Sequence, residues 1–209
     1  MKDIVRERNR RGEGARLRAD ILAGATELLE QTGSEEAVTL RAVARQVGIS
    51  APSIYSHFPD REAIVEAIVD GAFSDFNAAI KAASDAADRA GQDPLARLRA
   101  GCAAYLRFAA ERPNRYRLLF ERRKVLGSGQ FRFSTVRAQS FDLLIANVQD
   151  CVEARISAST DPELAATAIW AALHGLATLH ANLPERPWPD TGMLLDRIIC
   201  GLAQITSEQ

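Results

Sequence analysis

Cysteine and histidine are scarce in this chain, which has three of each among its 209 residues. Cys102, Cys151 and Cys200 lie far apart in apolar helical patterns, and no two of them have the spacing of metal ligands. We expect them to be small buried hydrophobic residues in a reducing cytoplasm. The sequence also has no serine elbow, no glycine-rich phosphate loop and no Cys/His cluster. These absences predict a protein that is not an enzyme and that holds no metal or other cofactor.

Strand signals are nearly absent as well. The sequence has no alternating runs of β-branched residues and no Asn-Gly hairpin turns, whereas helical spacing of apolar residues occurs almost throughout. The expected fold is therefore all-α, with about nine helices. Residues 164–183 carry no formal charge and are long enough to span a bilayer, but they include two histidines, two threonines and an asparagine. We expect a helix that is buried on every face, in a protein with no membrane partner.

The chain as a whole has nearly equal numbers of positive and negative charges, with a formal net charge of −1. A nucleic-acid partner must therefore be met by a local patch. Residues 1–18 supply one, with seven basic residues against three acidic ones. This segment is either a solvated tail or an arm in which Arg6, Arg8, Arg10 and Arg11 follow the DNA backbone or a minor groove.

Three helical patterns occupy the first 58 residues, and the first of them extends from about Ala15 to Thr32. Thr39 can cap the second helix with its hydroxyl, and Gly48 supplies a left-handed position after it. Ser50 can cap a third helix, which ends at Pro59. Two short helices that meet at a glycine turn are typical of a helix-turn-helix, which offers its second helix to the DNA major groove. The small polar residues on the outer side of the third helix suit that groove better than a protein core.

The rest of the chain is predicted to be a larger helical body. Asp60 caps a long fourth helix that reaches about Ser84, and a polar break follows at residues 84–92. Residues 122–132 are the least helical stretch and are expected to form a mobile loop. The predicted domains are residues 1–60, with the DNA-binding unit, and residues 61–209, with a regulatory and dimerisation body.

The segment "IYSHFPDREAIVEAI", residues 54–68, carries a more specific pattern. Together with the three-helix frame it resembles the TetR family of bacterial transcriptional regulators, over roughly residues 15–70. In that family the recognition helix ends in a Tyr-x-His-Phe run, followed by a proline or similar turn and a basic residue. Arginine stands here where lysine is more usual, which keeps the positive charge. The matching residues are Tyr55, His57, Phe58, Pro59 and Arg61.

The resemblance implies two kinds of DNA contact. Contacts to the backbone position such a protein, and contacts to base edges specify the sequence. For Arg41 a solvated helix face is an equally good account, and His57 is alternatively a partly packed residue. The residues expected on the backbone are Thr39, Arg41, Tyr55, His57 and Arg61. The residues expected nearest the base edges are Ser50, Ala51, Pro52, Ser53 and Ser56.

The C-terminal body carries a second resemblance. The segment "IWAALHGLATL", residues 169–179, is similar to the Trp-x-x-x-His-Gly signature of one C-terminal subgroup of the family. Trp170 and His174 are four positions apart and share a helix face, where they either line an effector cavity or pack as a buried indole and a hydrogen-bonded imidazole. The residues expected to line a pocket for an unknown small-molecule effector are Tyr105, Phe108, Tyr116, Phe120, Phe141, Trp170 and His174.

The eighth predicted helix, from about Asp161, and the ninth, from about Thr191, are apolar on more than one face. Two copies of the chain would bury that surface in a four-helix bundle, so we expect a homodimer that pairs through helices eight and nine. The resemblance implies a regulator of transcription, in the first place a repressor, that binds a palindromic operator in double-stranded DNA and responds to a small molecule. The alternatives are an activator, a ligand-independent regulator and an architectural DNA-binding protein.

Overall fold

A computed structural model describes residues 13–120 and 135–206, and its regular structure there is helical. Within these stretches the α-helices are α1 Glu13–Thr32, α2 Leu40–Val47, α3 Arg61–Arg89, α4 Pro94–Glu111, α5 Pro113–Phe120, α6 Thr135–Glu153, α7 Pro162–Asn182 and α8 Thr191–Leu202. The chain divides into two compact units, one that reaches Gly71 and one that starts at Ala72, so the boundary falls inside α3. The basic arm and the loop expected at residues 122–132 lie outside the described residues.

The all-α fold is confirmed, but the expected count of about nine helices is one too high within the described residues, because the third predicted helix is not an α-helix. Residues Ala51–Ser53 form a single 3-10 turn, and further turns follow at residues 54–57. Pro52 has no N–H to donate, and Ser56 directs its hydroxyl to the carbonyl of Ser53 at 2.9 Å, which competes with helical bonding. The Ser50 side chain does not cap the turn, since its hydroxyl lies 2.7 Å from that of Ser53.

Two helices start at the side chain expected to cap them, α2 at Thr39 and α3 at Asp60. The Thr39 hydroxyl accepts the N–H of Ala42 at 3.2 Å, at the start of α2. Gly48 has a φ of 71°, the left-handed conformation that ends this helix. Side-chain chemistry of the sequence thus sets these boundaries locally. The aspartates that cap α3, α4, α7 and α8 are Asp60, Asp93, Asp161 and Asp190.

Helix α3 continues to Arg89, past the expected end near Ser84, so the predicted polar break at residues 84–92 is too long. Ser84 is buried, with its hydroxyl 3.5 Å from the carbonyl oxygen of Arg97. The same hydroxyl accepts the side-chain amide of Asn147 at 3.4 Å. Partners on α4 and α6 therefore keep a polar residue inside a helix that local propensity alone would have ended.

In the first unit α1 packs closely against α2. A methyl group added at Gly24 would lie 2.6 Å from Cγ2 of Val47, so this glycine permits the close approach of the two helices. Apolar residues of both helices, of the start of α3 and of the segments between these helices form the core of this unit. Those less than a twentieth exposed are Ile21, Ala25, Leu29, Val38, Val43, Ala44, Ile54, Phe58, Ile64, Val65, Ile68 and Val69.

Replacing Gly24 with alanine should destabilise the first unit by about 1–3 kcal/mol, because the added methyl overlaps a β-branched side chain with little freedom to move. This cost exceeds the gain of up to about 1 kcal/mol in helix propensity. Gly71→Ala is the matched control, since a methyl group there meets nothing within 4 Å. Urea denaturation followed by circular dichroism compares the two variants. Equal effects of both substitutions would contradict the close approach of α1 and α2.

Helix α4 lies at the centre of the second unit and packs against α5, α6, α7 and α8. Cys102, on α4, is buried, and burial raises the pKa of its thiol to about 12. This thiol therefore stays protonated at neutral pH and is chemically inert. Cys151 is also buried and Cys200 is partly exposed, so the expected buried role holds for two of the three cysteines.

Helix α7 is buried on one side only, so the expectation of burial on every face is wrong for the single chain. Leu164, Trp170 and Leu179 are 65%, 37% and 47% exposed, whereas Leu173 and Leu176 are buried. The helix is long and apolar enough to cross a membrane by length and composition, but a core helix passes the same test, and α7 packs against α4, α6 and α8. We call the exposed leucine and methionine side chains of α7 and α8 the outer apolar surface. Its members are Leu164, Leu179, Met193 and Leu202.

Candidate nucleic-acid interface and ligand site

The segment that follows α2 is anchored by two buried side chains. Ile54 is fully buried and Phe58 nearly so. The guanidinium carbon of Arg18, on α1, lies 4.7 Å from the centre of the Phe58 ring, a cation–π distance. Sequence reasoning did not single out Arg18, because nothing in its spacing points to a partner 40 positions away. These contacts hold the segment in place although it lacks the hydrogen-bond ladder of an α-helix.

Around the two anchors the segment presents small and polar residues to solvent. Tyr55 is 58% exposed, the only large aromatic ring of the first unit's described residues with such exposure. An exposed aromatic ring with a hydroxyl suits a contact better than a core. All ten predicted DNA-contacting residues are at least partly accessible. The exposed ones are Thr39, Arg41, Ser50, Pro52, Tyr55 and Ser56, and the partly exposed ones are Ala51, Ser53, His57 and Arg61.

Some hydroxyl groups of this surface have an O–H that is free to donate a hydrogen bond to an anion. Thr39 uses its oxygen to accept the N–H of Ala42, which leaves its O–H free to donate. Ser50 and Ser53 share one hydrogen across their 2.7 Å contact, so one of their two O–H groups remains available. The first N–H groups of α2 have no intrahelical partners, which favours an anion at the same place.

Two arginines of α2 add positive charge near these hydroxyls. Arg41 and Arg45 are four positions apart and exposed. Neither forms an ion pair with another of the described residues. Exposed cations without a carboxylate partner are available to a phosphate group, and a phosphate contact of this kind positions a protein on DNA.

Arg61 is placed differently from the other predicted contacts. Its Nε donates to the carbonyl of Val38 at 2.9 Å, and its Nη2 donates to the carbonyl of Glu35. The Glu35 carboxylate lies 3.7 Å from the guanidinium. Arg61 therefore fastens the start of α3 to the turn before α2, and this support of the site was not foreseen from the sequence. Its contact with DNA stays a prediction.

A cluster of aromatic rings lies in the second unit. Phe76, on α3, is at its centre, with its ring centroid 5.1 Å from Tyr105, 5.2 Å from Phe108 and 5.9 Å from Phe120, all edge to face. Sequence reasoning missed Phe76 as part of the site. The available signal was its spacing of three from Phe73, which puts both rings on one side of α3, and Phe73 also contacts Phe120 at 6.0 Å.

Three polar groups meet inside this aromatic cluster. The Tyr116 hydroxyl lies 2.7 Å from Nδ1 of His174 and 2.9 Å from the hydroxyl of Tyr105. Burial raises the pKa of Tyr105, and the neighbouring Tyr116 raises it further, so this phenol is neutral. His174 is therefore a hydrogen-bonded imidazole, one of the two arrangements expected from the sequence.

Trp170 is not the buried indole of that expected arrangement, since 37% of it is exposed. Its ring lies 5.7 Å from that of Phe141, edge to face. Ring contacts and hydrogen bonds, directly or through Phe76, thus join five of the seven predicted pocket residues: Tyr105, Phe108, Tyr116, Phe120 and His174. The other two, Phe141 and Trp170, contact each other.

Known protein families match both the segment that includes the predicted DNA-contacting residues and the helical body that carries the aromatic cluster. The family described as "Bacterial regulatory proteins, tetR family" matches residues 21–68. The family described as "Tetracyclin repressor-like, C-terminal domain" matches residues 98–202, about half of the chain. None of the curated proteins matches the chain.

Several solved structures share the fold along almost the whole chain. A protein of unknown function from Rhodococcus sp. RHA1 is 27% identical with a TM-score of 0.77, and the match covers 97% of this chain and 100% of that one. PfmR, a TetR family transcriptional regulator from Thermus thermophilus, is 24% identical with a TM-score of 0.64, covering 90% and 99%. A regulatory protein of the TetR family from Rhodococcus RHA1 is 22% identical with a TM-score of 0.65, covering 90% and 95%.

These matches agree with the exposed polar segment of the first unit and with the helical body that carries the aromatic cluster. The family resemblance inferred from residues 54–68 is confirmed. Assignment to the Trp-x-x-x-His-Gly subgroup stays a prediction. The chain belongs to the TetR family of bacterial regulators of transcription, which bind DNA through a helix-turn-helix.

Proposed function

We propose that the chain is a cytoplasmic repressor that binds a palindromic operator as a homodimer and leaves it when a small molecule binds. One observation carries this proposal: the first unit exposes a polar segment, while α7 and α8 expose an outer apolar surface. A single three-helix unit offers a small contact area on DNA. Two units related by a twofold axis would read two half-sites, about 34–36 Å or a multiple of that distance apart.

The proposed DNA contact is supported first by the alternation of buried and exposed side chains in the segment after α2. Ile54 and Phe58 are buried, so their neighbours Tyr55 and Ser56 are free to meet a groove. Tyr55 has the reach and the hydroxyl for a phosphate oxygen. Ser53 is small, partly exposed and carries a hydroxyl, which suits a contact to a base edge in the major groove.

Tyr55→Ala and Ser53→Ala should affect DNA binding in different ways. Loss of the Tyr55 contact should weaken binding to every sequence by roughly 5–10-fold, since a phosphate contact positions but does not specify. Loss of the Ser53 hydroxyl should instead change which bases are preferred at one position of each half-site. Selection of sites from random DNA, followed by titration of the selected and scrambled duplexes, measures both effects. Equal affinity of the unchanged protein for the two duplexes would contradict operator recognition.

The proposed homodimer is supported by the apolar side chains that α7 and α8 expose to solvent in the single chain. Leu164 and Met193 are both about two-thirds exposed, at 65% and 68%. Gly175 on α7 and Gly201 on α8 have open space where a side chain would lie, so a second chain can approach the helices closely. Burial of such residues in a partner chain is the usual source of stability in a helical dimer.

The ligand response is supported by the aromatic cluster, which combines apolar rings with the hydroxyls of Tyr105 and Tyr116 and the imidazole of His174. This combination suits an apolar or amphipathic molecule that is oriented by a few polar groups. We propose that α3 carries the signal, because this one helix belongs partly to each unit. A ligand changes operator affinity only by its unequal affinity for two states, typically by about 5–150-fold.

A screen of small molecules by thermal denaturation, repeated with operator DNA, tests this regulation. We expect a compound that raises the melting temperature of the protein and lowers its operator affinity. The same compound should lose both effects with Tyr105→Phe or His174→Phe. Compounds that raise the melting temperature without any change in operator affinity would favour a ligand-independent regulator.

A further inference from the structure

A groove of about 600 Å³ lies in the second unit, where the C-terminal ends of α4 and α7 meet the N-terminal end of α8. None of the seven predicted pocket residues lines it. Its walls include Ala103 and Leu106 from α4, Ala177 from α7 and Leu195 from α8. The groove is therefore a second concave apolar site, and its volume lies within the range of about 300–1,000 Å³ typical of small-molecule sites.

Two polar side chains give this groove a distinct chemical character. Arg107 is exposed at the groove and forms no ion pair within the described part of the chain. His180 also lines the groove, and its Nε2 is buried without a hydrogen-bond partner among the described residues. No aspartate or glutamate is found among the described lining residues. A buried polar atom without a partner is uncommon in native proteins and calls for an explanation.

Trp188 connects His180 to a signal that can be measured. Its ring centroid lies 4.5 Å from that of His180, and its Nε1 donates to the carbonyl of Leu183 at 3.1 Å. The guanidinium carbon of Arg186 lies 4.9 Å from the same indole. Because the two rings are in contact, a molecule that binds His180 from the groove should change the fluorescence of Trp188.

We infer that this groove binds a small amphipathic carboxylate, with the carboxylate on Arg107 and His180 and the apolar body along the alanines and leucines. An arginine fork matches a carboxylate in two hydrogen bonds, and the absence of a competing acidic side chain among the described lining residues leaves it available. A second polar contact from an imidazole fixes the orientation of the ligand. This site is separate from the aromatic cluster proposed above to sense the effector, and it does not depend on that proposal.

Calorimetric titration with 4-phenylbutyrate, 4-phenylbutanamide and 4-phenylbutylamine tests the inference, because the three probes share an apolar body and differ in charge. The full chain should bind the carboxylate roughly 10-fold more tightly than the amide, and the amine more weakly still. Arg107→Gln should remove the difference between carboxylate and amide, and Arg107→Lys should restore part of it. Arg89→Gln, an exposed arginine at the end of α3, is the matched control and should leave all three affinities unchanged.

Single-tryptophan variants locate the bound probe. In a Trp170→Phe background the carboxylate should change the fluorescence of Trp188, and in a Trp188→Phe background it should leave that of Trp170 unchanged. A change of Trp170 alone would place the ligand elsewhere and overturn the inference. It would also be overturned if no probe bound at millimolar concentration, if carboxylate and amide bound equally, or if Arg107→Gln kept the preference. Circular dichroism of each variant shows that it is folded, so a loss of binding is not a loss of structure.

Discussion

Phe58→Ala should unfold the first unit and abolish operator binding, while the second unit stays folded. The Phe58 ring is 2% exposed and lies under the guanidinium of Arg18. Truncation of a buried phenylalanine to alanine costs about 3–5 kcal/mol, a large share of the stability of a unit this small. The loss of stability is greater than for an average core residue, because the segment around Phe58 lacks the backbone hydrogen bonds of an α-helix. Hydrogen exchange resolved along the chain, together with titration of operator DNA, measures the two effects.

Tyr55→Ala is the matched control for this prediction. Tyr55 lies three positions before Phe58 and has a ring of similar size, but more than half of it is exposed. Its truncation should leave the exchange rates of the first unit unchanged within error and weaken DNA binding only by the modest factor given above. If the amides of the first unit were equally protected in Phe58→Ala and Tyr55→Ala, the anchoring role of Phe58 would be wrong.

Leu179→Glu or Leu202→Glu should convert the protein into monomers and weaken operator binding by roughly 100-fold or more, since each half-site would then be bound without the effective concentration that the other provides. Both residues belong to the outer apolar surface. A carboxylate buried without a partner at an interface is strongly destabilising. Sedimentation velocity at micromolar concentration reports the oligomeric state, and titration of an operator duplex reports the affinity.

Two further glutamate variants distinguish loss of the dimer from a general effect of added charge and from disruption of the fold. Ala146→Glu places the same charge on an exposed position of α6, outside the outer apolar surface, and should leave the dimer intact. Leu176 is only 8% exposed, so Leu176→Glu should disturb the fold of the second unit itself rather than the pairing of two chains. Wild-type protein that sediments as a monomer would refute the proposed dimer directly.

The two boundaries of α2 were predictable because a single side chain or glycine decides each of them. Thr39 accepts a backbone N–H at the start of α2, and Gly48 takes the left-handed conformation at its end, as their residue types indicate. These are local effects, fixed by chemistry within three or four positions of the chain. The fold class followed from the scarcity of strand signals and from the helical spacing of apolar residues.

The features that sequence reasoning missed depend on partners far along the chain. The sequence predicted a helix end near Ser84, but this residue stays helical because its hydroxyl forms hydrogen bonds with Asn147 and with the backbone of α4. Arg61 reads as a free cation, but the carbonyls of Val38 and Glu35 occupy part of its guanidinium. Such pairings join positions that no local periodicity relates, so only the folded arrangement reveals them.

The 3-10 turn at Ala51–Ser53 has a consequence for how this protein can change over generations. The exposed residues in and beside this turn, Ser50, Pro52 and Ser56, contribute little packing, since the segment is held through Ile54 and Phe58. Substitutions at outward positions therefore cost little stability, and exposed positions generally tolerate them within about 0.5 kcal/mol. Gene duplicates of such a protein can acquire new operator sequences by single mutations, without first accumulating compensating changes in the core.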